Sequence, residues 1–143
     1  MENIATVAFI HFTTANGSRL INVAEVVEVI PMVWLERDSD AVDHAFYIGL
    51  LNYRGNIISV FDPAGGAKQF QAHPDHFLIV CSNGIQTIAL IAMEVHQLVE
   101  IEAQEIQQID ALNQASFSAA KLKDKIVRIV STDDYLQRHS RHE

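Results

Sequence analysis

Only a few residues of this chain stand where their type and spacing could do chemistry. Arg54 is the first. It lies in Ile48-Gly-Leu-Leu-Asn-Tyr-Arg-Gly-Asn-Ile-Ile-Ser-Val-Phe-Asp62, a largely apolar stretch with a single cation. A guanidinium offers a rigid fork of donors to a carboxylate or to backbone carbonyls. At a tight turn it is either a solvated turn residue or a contact held out to a partner. His73-Pro-Asp-His76 is the tightest grouping among seven histidines. Such a pair supplies two ligands, whereas a catalytic zinc needs a third and an open position. Pro74 opposes a helix that would align the two imidazoles, so no metal site is expected. The lone cysteine, Cys81, ends Phe77-Leu-Ile-Val-Cys81 with no cation in the local sequence to lower its pKa, and reads as a small buried hydrophobe. Ser59 has no nucleophile elbow around it, and Gly65-Gly66 has no following GK[ST]. Asp62 could act as an acid or base, but an aspartate closing a strand more often caps the next turn. No catalytic residue and no cofactor are expected.

The elements that would position these residues are strands. Ile48 to Asp62 reads as strand, turn at Arg54-Gly55-Asn56 and strand, with Gly55 free to take a positive φ. Ile57, Ile58, Val60 and Phe61 suit a mostly buried second strand. Upstream, Thr6–Phe12 leads to a two-residue turn at Asn16-Gly17 and a return strand through Val23. A helical turn is expected near Ala24–Val26, then a strand through Val33, then a polar loop over residues 37–43. Residues 63–75 read as a second loop. Phe77–Cys81, Asn83-Gly84 and Gln86–Ala92 form another strand, turn and strand, and Val95–Ile101 one more. Residues 103–109 are polar with scattered isoleucines, and 112–120 read as irregular. Lys125–Val130 is a strand, Thr132–Leu136 a short capped helix, and the chain past Gln137 a frayed tail.

Two patterns repeat. Asn16-Gly17, Glu25-Val26 and Val27-Glu28-Val29 resemble Asn83-Gly84, Glu94-Val95 and Val99-Glu100-Ile101. Arg54-Gly-Asn-Ile-Ile-Ser-Val-Phe aligns without gaps on Lys123-Asp-Lys-Ile-Val-Arg-Ile-Val. Two such pairs in the same order imply two related antiparallel β units with a core shared between them.

The composition excludes several classes. At 143 residues, 49% of them hydrophobic, the chain can bury a real core as one unit. Eighteen acids against ten bases leave it at −8, which repels phosphate backbones and anionic lipid, so neither nucleic acid nor membrane insertion is expected. The apolar run at Val7–Ile10 is too short for a signal peptide and lacks a basic segment before it. No stretch has the length of a membrane span. A cytoplasmic, reduced location is expected.

The central stretch resembles the signature of the CheW family of chemotaxis coupling proteins, Gly-φ-φ-Asn-Leu-Arg-Gly-x-φ-φ-Pro-φ-φ-Asp-Leu, where φ is an apolar residue. It stands here as Gly49-Leu-Leu-Asn52-Tyr53-Arg54-Gly55-Asn-Ile-Ile-Ser59-Val-Phe-Asp62-Pro63. The family's Val-x-Glu-Val corresponds to Val26-Val27-Glu28-Val29. Asn83-Gly84 through Val95 to Leu98-Val-Glu-Ile101, and Ile126 to Leu136, match its second half. Tyr53, Ser59 and Pro63 replace a usual Leu, Pro and Leu, and Met93 a usual Asp. The resemblance implies a mainly β fold of two packed five-stranded SH3-like barrels with short helices, one CheW-like domain over residues 1–143 whose two barrels interleave. It implies a non-enzymatic adaptor that joins the cytoplasmic tip of a methyl-accepting chemoreceptor to the regulatory domain of a CheA-type histidine kinase, at membrane-associated receptor arrays. By position, Val26, Glu28, Val29, Arg54 and Phe77 would face the receptor, with Val23 and Leu98 as outer members. Gly49, Asn52, Gly55 and Asp62 would be the structural part of the motif.

That assignment makes physical sense. A helical receptor tip needs aliphatic walls and a few polar fixers; the valines and Phe77 offer the first, Arg54 and Glu28 the second. Two other readings stand beside it. One is an SH3-like peptide-binding module outside chemotaxis; the other is a small metal-dependent enzyme built on His73, His76 and Asp62.

Overall fold

Arg54 and Gly55 both take positive φ, 51° and 85°, and Tyr53 pairs with Asn56 across them. Two successive positive φ values make a type I′ turn, whose twist matches that of the flanking strands. Lys123 and Asp124 do the same at 51° and 65°, closed by Leu122 and Lys125. The gapless sequence repeat is therefore a repeat of structure: the same turn at the same position of two hairpins.

The computed structural model describes residues 4–37, 45–66, 70–110 and 116–140, with side chains described as far as Leu136. Its strands are β1 Thr6–Thr14, β2 Gly17–Asn22, β3 Val26–Pro31, β4 Glu36–Arg37, β5 Tyr47–Tyr53, β6 Asn56–Phe61, β7 Phe77–Ser82, β8 Thr87–Ala92, β9 Glu94–Glu102, β10 Ile106–Ile109, β11 Phe117–Leu122 and β12 Lys125–Val130. Helix α1 is Thr132–Ser140. One sheet runs β10-β11-β12-β2-β1-β9 and the other β3-β7-β8-β6-β5-β4. Shifting every label by six converts one order into the other read backwards. Each sheet takes two strands from one half of the chain and four from the other, so the two units interleave. The mainly β fold of two related units holds. Each sheet counts six strands rather than five, because the short β4 and β10 each add one at an edge, and among the described residues the ladders do not close into a ring.

Three cores follow. Leu35, Ile48, Leu51, Val60, Leu78 and Val80 fill one unit, and Phe9, Leu20, Ile101, Ala120 and Val127 the other. Between them, Phe12, Ile21, Phe61, Ile79, Leu90, Val130 and Tyr135 form a shared core. Strand β8 serves two cores at once, Ile88, Leu90 and Ala92 toward the shared one and Ala89 and Ile91 toward its own. Successive side chains point to opposite faces, which explains the near-continuous apolar run in its sequence.

Several local expectations need correction. The first hairpin turns at Ala15-Asn16, since Thr14 pairs with Gly17; the positive φ of 129° falls on Gly17, already in β2. The helical turn is a 3₁₀ turn at Val23–Glu25, one residue earlier than expected. Strand β3 stops at Pro31, not Val33: the Met32 N–H still donates to the His76 carbonyl, but the His76 N–H turns to the His73 carbonyl and the ladder ends. Residues 117–120, read as irregular, belong to β11; Ala119 and Ala120 are buried between β10 and β12. Small residues of low strand propensity are strand there because neighbours on both sides impose it. Ile57, placed in a mostly buried strand, is exposed. Helix α1 continues past Gln137 to Ser140. Its N-terminus is a reciprocal box, Ser131 N–H to Asp134 Oδ2 at 2.9 Å and Asp134 N–H to Ser131 Oγ at 3.3 Å, and Glu25 Oε1 accepts the Thr132 N–H at 2.8 Å. Residues 38–43 of the expected polar loop, and residues 111–115, lie outside the described residues.

Candidate partner-binding site

The site is built outward from the type I′ turn. Asn52 Oδ1 accepts the Gly55 N–H at 3.1 Å, so the motif asparagine braces the turn that presents Arg54. From there the guanidinium reaches β3. Arg54 Nη2 donates to Glu28 Oε1 at 3.0 Å and Oε2 at 3.1 Å, and Tyr53 Oη donates to the same Oε1 at 2.7 Å. The guanidinium carbon lies 5.3 Å from the Tyr53 ring centroid, within cation–π range. The hydrogen bond to Glu28 pushes the Tyr53 phenol pKa up, since the carboxylate favours the protonated hydroxyl. Tyr53, the departure from the family's usual leucine, is a site residue the sequence did not single out. Its hydroxyl lies over a carboxylate twenty-five positions away, and only the fold brings them together.

A bulge in β3 shapes the other side of the cluster. The register shifts between Val26 and Glu28, which leaves Val27 53% exposed and sets Glu28 toward Tyr53. Val27, Tyr53 and Ile57 then line one cleft of ≈ 390 Å³, together with Leu136. Val27 and Ile57 are the second signal missed in sequence, because an exposed aliphatic on a strand looks the same as a buried one.

The candidate residues divide between two faces of β3. Glu28, Arg54 and Tyr53 are in contact. Val26, Val29 and Phe77 are half-buried against the shared core, alongside Ile10 and Val95. Val29 and Phe77 lie diagonally across the β3–β7 ladder. Strand β3 is at the edge of its sheet, so a partner lying along that edge can touch both faces. Val23 is half-buried in the 3₁₀ turn. Leu98, 55% exposed, pairs with Ile10 on β9, the edge of the other sheet.

The structural members of the motif act locally. Gly49 permits β4 to approach, for a Cβ there would lie 2.1 Å from the Glu36 carbonyl oxygen. Asp62 Oδ1 accepts the Ala64 N–H at 2.9 Å, a turn cap, and burial raises its pKa. The Cys81 thiol is buried and pushed up to about 12, chiefly by desolvation. His73 and His76 stack at 4.7 Å, and His73 Nδ1 accepts the Asp75 N–H at 3.1 Å. Among the described residues no three His, Cys, Asp or Glu side chains gather as metal ligands, and no helix is long and apolar enough to cross a membrane.

Comparison with known proteins agrees with this architecture. The family model described as "CheW-like domain" matches residues 8–140. Among solved structures, the scaffolding protein TtCheW from Thermoanaerobacter tengcongensis superposes with a TM-score of 0.74, at 23% identity, covering 92% of this chain and 88% of that one. No curated protein sequence matches.

Proposed function

We infer the function of this chain from its membership of the CheW-like domain family, to which it belongs: it is a chemotaxis scaffold. We propose that it acts by binding and without catalysis, joining the cytoplasmic tip of a methyl-accepting chemoreceptor to the regulatory domain of a CheA-type histidine kinase. Through those partners it would sit at membrane-associated receptor arrays, on the cytoplasmic side.

The observation that carries this reading is the Glu28–Tyr53–Arg54 cluster. Both Arg54 contacts to Glu28 come from Nη2, and the side chain is 69% exposed. Its other donors remain for a partner, while Glu28 and the Tyr53 ring hold the group in place. As a plain surface ion pair this arrangement contributes little to stability; as a preset contact it lowers the ordering cost of binding. Receptor helices would lie along the β3 edge, with polar contacts to Arg54 and Glu28 and apolar ones to Val26, Val29 and Phe77. Val23 and Leu98 would be the outer contacts.

Titration with a receptor signalling-tip fragment tests this. Arg54→Ala folds normally and loses about 2–4 kcal/mol of affinity, as central interface arginines do, while binding of the kinase regulatory domain is nearly unchanged. Receptor affinity equal to that of the parent protein would remove Arg54 from the interface.

A further inference from the structure

Among the described residues, four cations gather away from the Arg54 cluster, on the other sheet. A cleft of ≈ 710 Å³ is lined by Arg19, Lys123, Lys125 and Arg128, four of the chain's ten lysines and arginines. No carboxylate is among its lining residues, and Asp124, in the turn between the two lysines, does not line it. None of the four is in an ion pair among the described residues.

The internal repeat shows that the fold does not demand these charges. By the alignment of β12 on β6, Lys125, Ile126 and Arg128 occupy the places of Asn56, Ile57 and Ser59. The ladders agree: Arg128 pairs with Arg19 in parallel, as Ser59 pairs with Ile88. The equivalent place in the other half is the cleft beside Ile57, whose lining includes Asn56, Ser59 and Ile88. One of two equivalent clefts is neutral and the other strongly cationic. Moreover, Arg19 and Arg128 are direct neighbours on adjacent strands, and like charges so placed are destabilising. Burial, with a smaller contribution from Arg128, lowers the Arg19 pKa.

Both guanidinium groups are held. Arg19 donates to the Ser18 carbonyl at 2.9 Å and to Asn16 Oδ1 at 2.9 Å. Arg128 lies 3.8 Å from the Phe117 ring centroid. Beside them Ile126 is 74% exposed. Held cations around an exposed aliphatic match carboxylates around an apolar side chain. A polyphosphate backbone is disfavoured by the net charge of −8 and has nothing to set against Ile126.

We propose that this cleft docks an acidic segment of a partner protein, with carboxylates on Arg19, Arg128 and the Lys123–Lys125 turn and an aliphatic side chain against Ile126. This surface is separate from the Arg54 cluster, so its test is independent of the receptor reading.

The test is fluorescence anisotropy on the full chain with a labelled peptide of repeating Glu-Glu-Leu. A Gln-Gln-Leu peptide and a single-stranded DNA oligonucleotide serve as comparisons. The acidic peptide binds, and more weakly as salt rises. Arg19→Gln with Arg128→Gln weakens it by about tenfold, as loss of charge-assisted bonds would. Lys123→Gln with Lys125→Gln, both at exposed positions, weakens it without risk to the fold, and Lys121→Gln outside the cleft leaves it unchanged. Equal binding of the glutamine peptide, tighter binding of the DNA, no binding at low salt, or full affinity in the Lys123/Lys125 variant would each overturn the proposal.

Discussion

Tyr53 shows how one side chain can turn an ion pair into a fixed device. The family motif supplies Arg54 and Glu28, and the tyrosine adds a 2.7 Å hydrogen bond and a ring under the guanidinium. Its raised pKa is a direct readout. The hydrogen bond needs the neutral phenol, so it is complete below the ordinary tyrosine range, near pH 10, and is lost as pH rises through the elevated folded value. A spectrophotometric pH titration, taken as the difference between the parent protein and Tyr53→Phe, gives an ionisation above the ordinary value. Glu28→Gln brings it back down. Ionisation at or below the ordinary value would mean that the bond to Glu28 does not persist in solution. Cys81 is the opposite kind of residue, fully buried with a thiol pushed up to about 12. It should resist a thiol reagent at neutral pH in the native state and react fully once the protein is unfolded. Rapid labelling of native protein would contradict its burial.

Among the elements, the hairpin β5–β6 depends on two glycines for different reasons. Gly55 has open space around its missing Cβ but sits at φ +85°. Gly49 has ordinary backbone, and its missing Cβ makes room for the Glu36 carbonyl. Gly55→Val should cost about 1–3 kcal/mol through backbone strain, and Gly55→Asn much less, because asparagine tolerates positive φ. At Gly49 that rescue fails. Alanine and asparagine there both displace β4, at a cost of about 1–3 kcal/mol typical of overpacking. Urea midpoints for the four variants check the pattern, and an asparagine at 55 as damaging as the valine would rule out the positive-φ explanation. Strand β11 carries the complementary lesson. Its Ala119-Ala120 pair has little strand preference, and it is strand because β10 and β12 pair with it on both sides.

At the scale of the whole molecule, interleaving should make the two halves unfold as one cooperative unit. Each sheet draws strands from both halves, and the shared core joins Phe12, Ile21 and Val130 to Phe61, Ile79 and Leu90. Residues 1–66 alone would therefore leave β1–β2 and β3–β6 without the partners that complete their sheets. The two separated halves should each lack fixed tertiary structure, and mixing them should restore it, as followed by near-ultraviolet circular dichroism and amide NMR dispersion. A folded isolated half would show that the units are independent domains. The charge is also uneven at this scale. A net −8 is carried by a surface with one cleft of four cations, whose electrostatic character differs from that of the Glu28–Tyr53–Arg54 cluster.

Sequence alone determined the class of fold, because strand runs, turn glycines and a gapless repeat are local signals that one chain carries openly. It also determined the family resemblance and, with it, Arg54 and Glu28 as a pair to consider. Tertiary structure decided the rest. The swap of strands between units is invisible in sequence, since a strand's pattern records which faces are buried and not which strand lies beside it. The bulge at Val27 and the exposure of Ile57 depend on register, which an apolar side chain does not announce. The Tyr53–Glu28 bond and the gathering of Arg19 with Arg128 join residues far apart in the chain. Proximity of that kind comes from closure of the fold, and no local spacing encodes it.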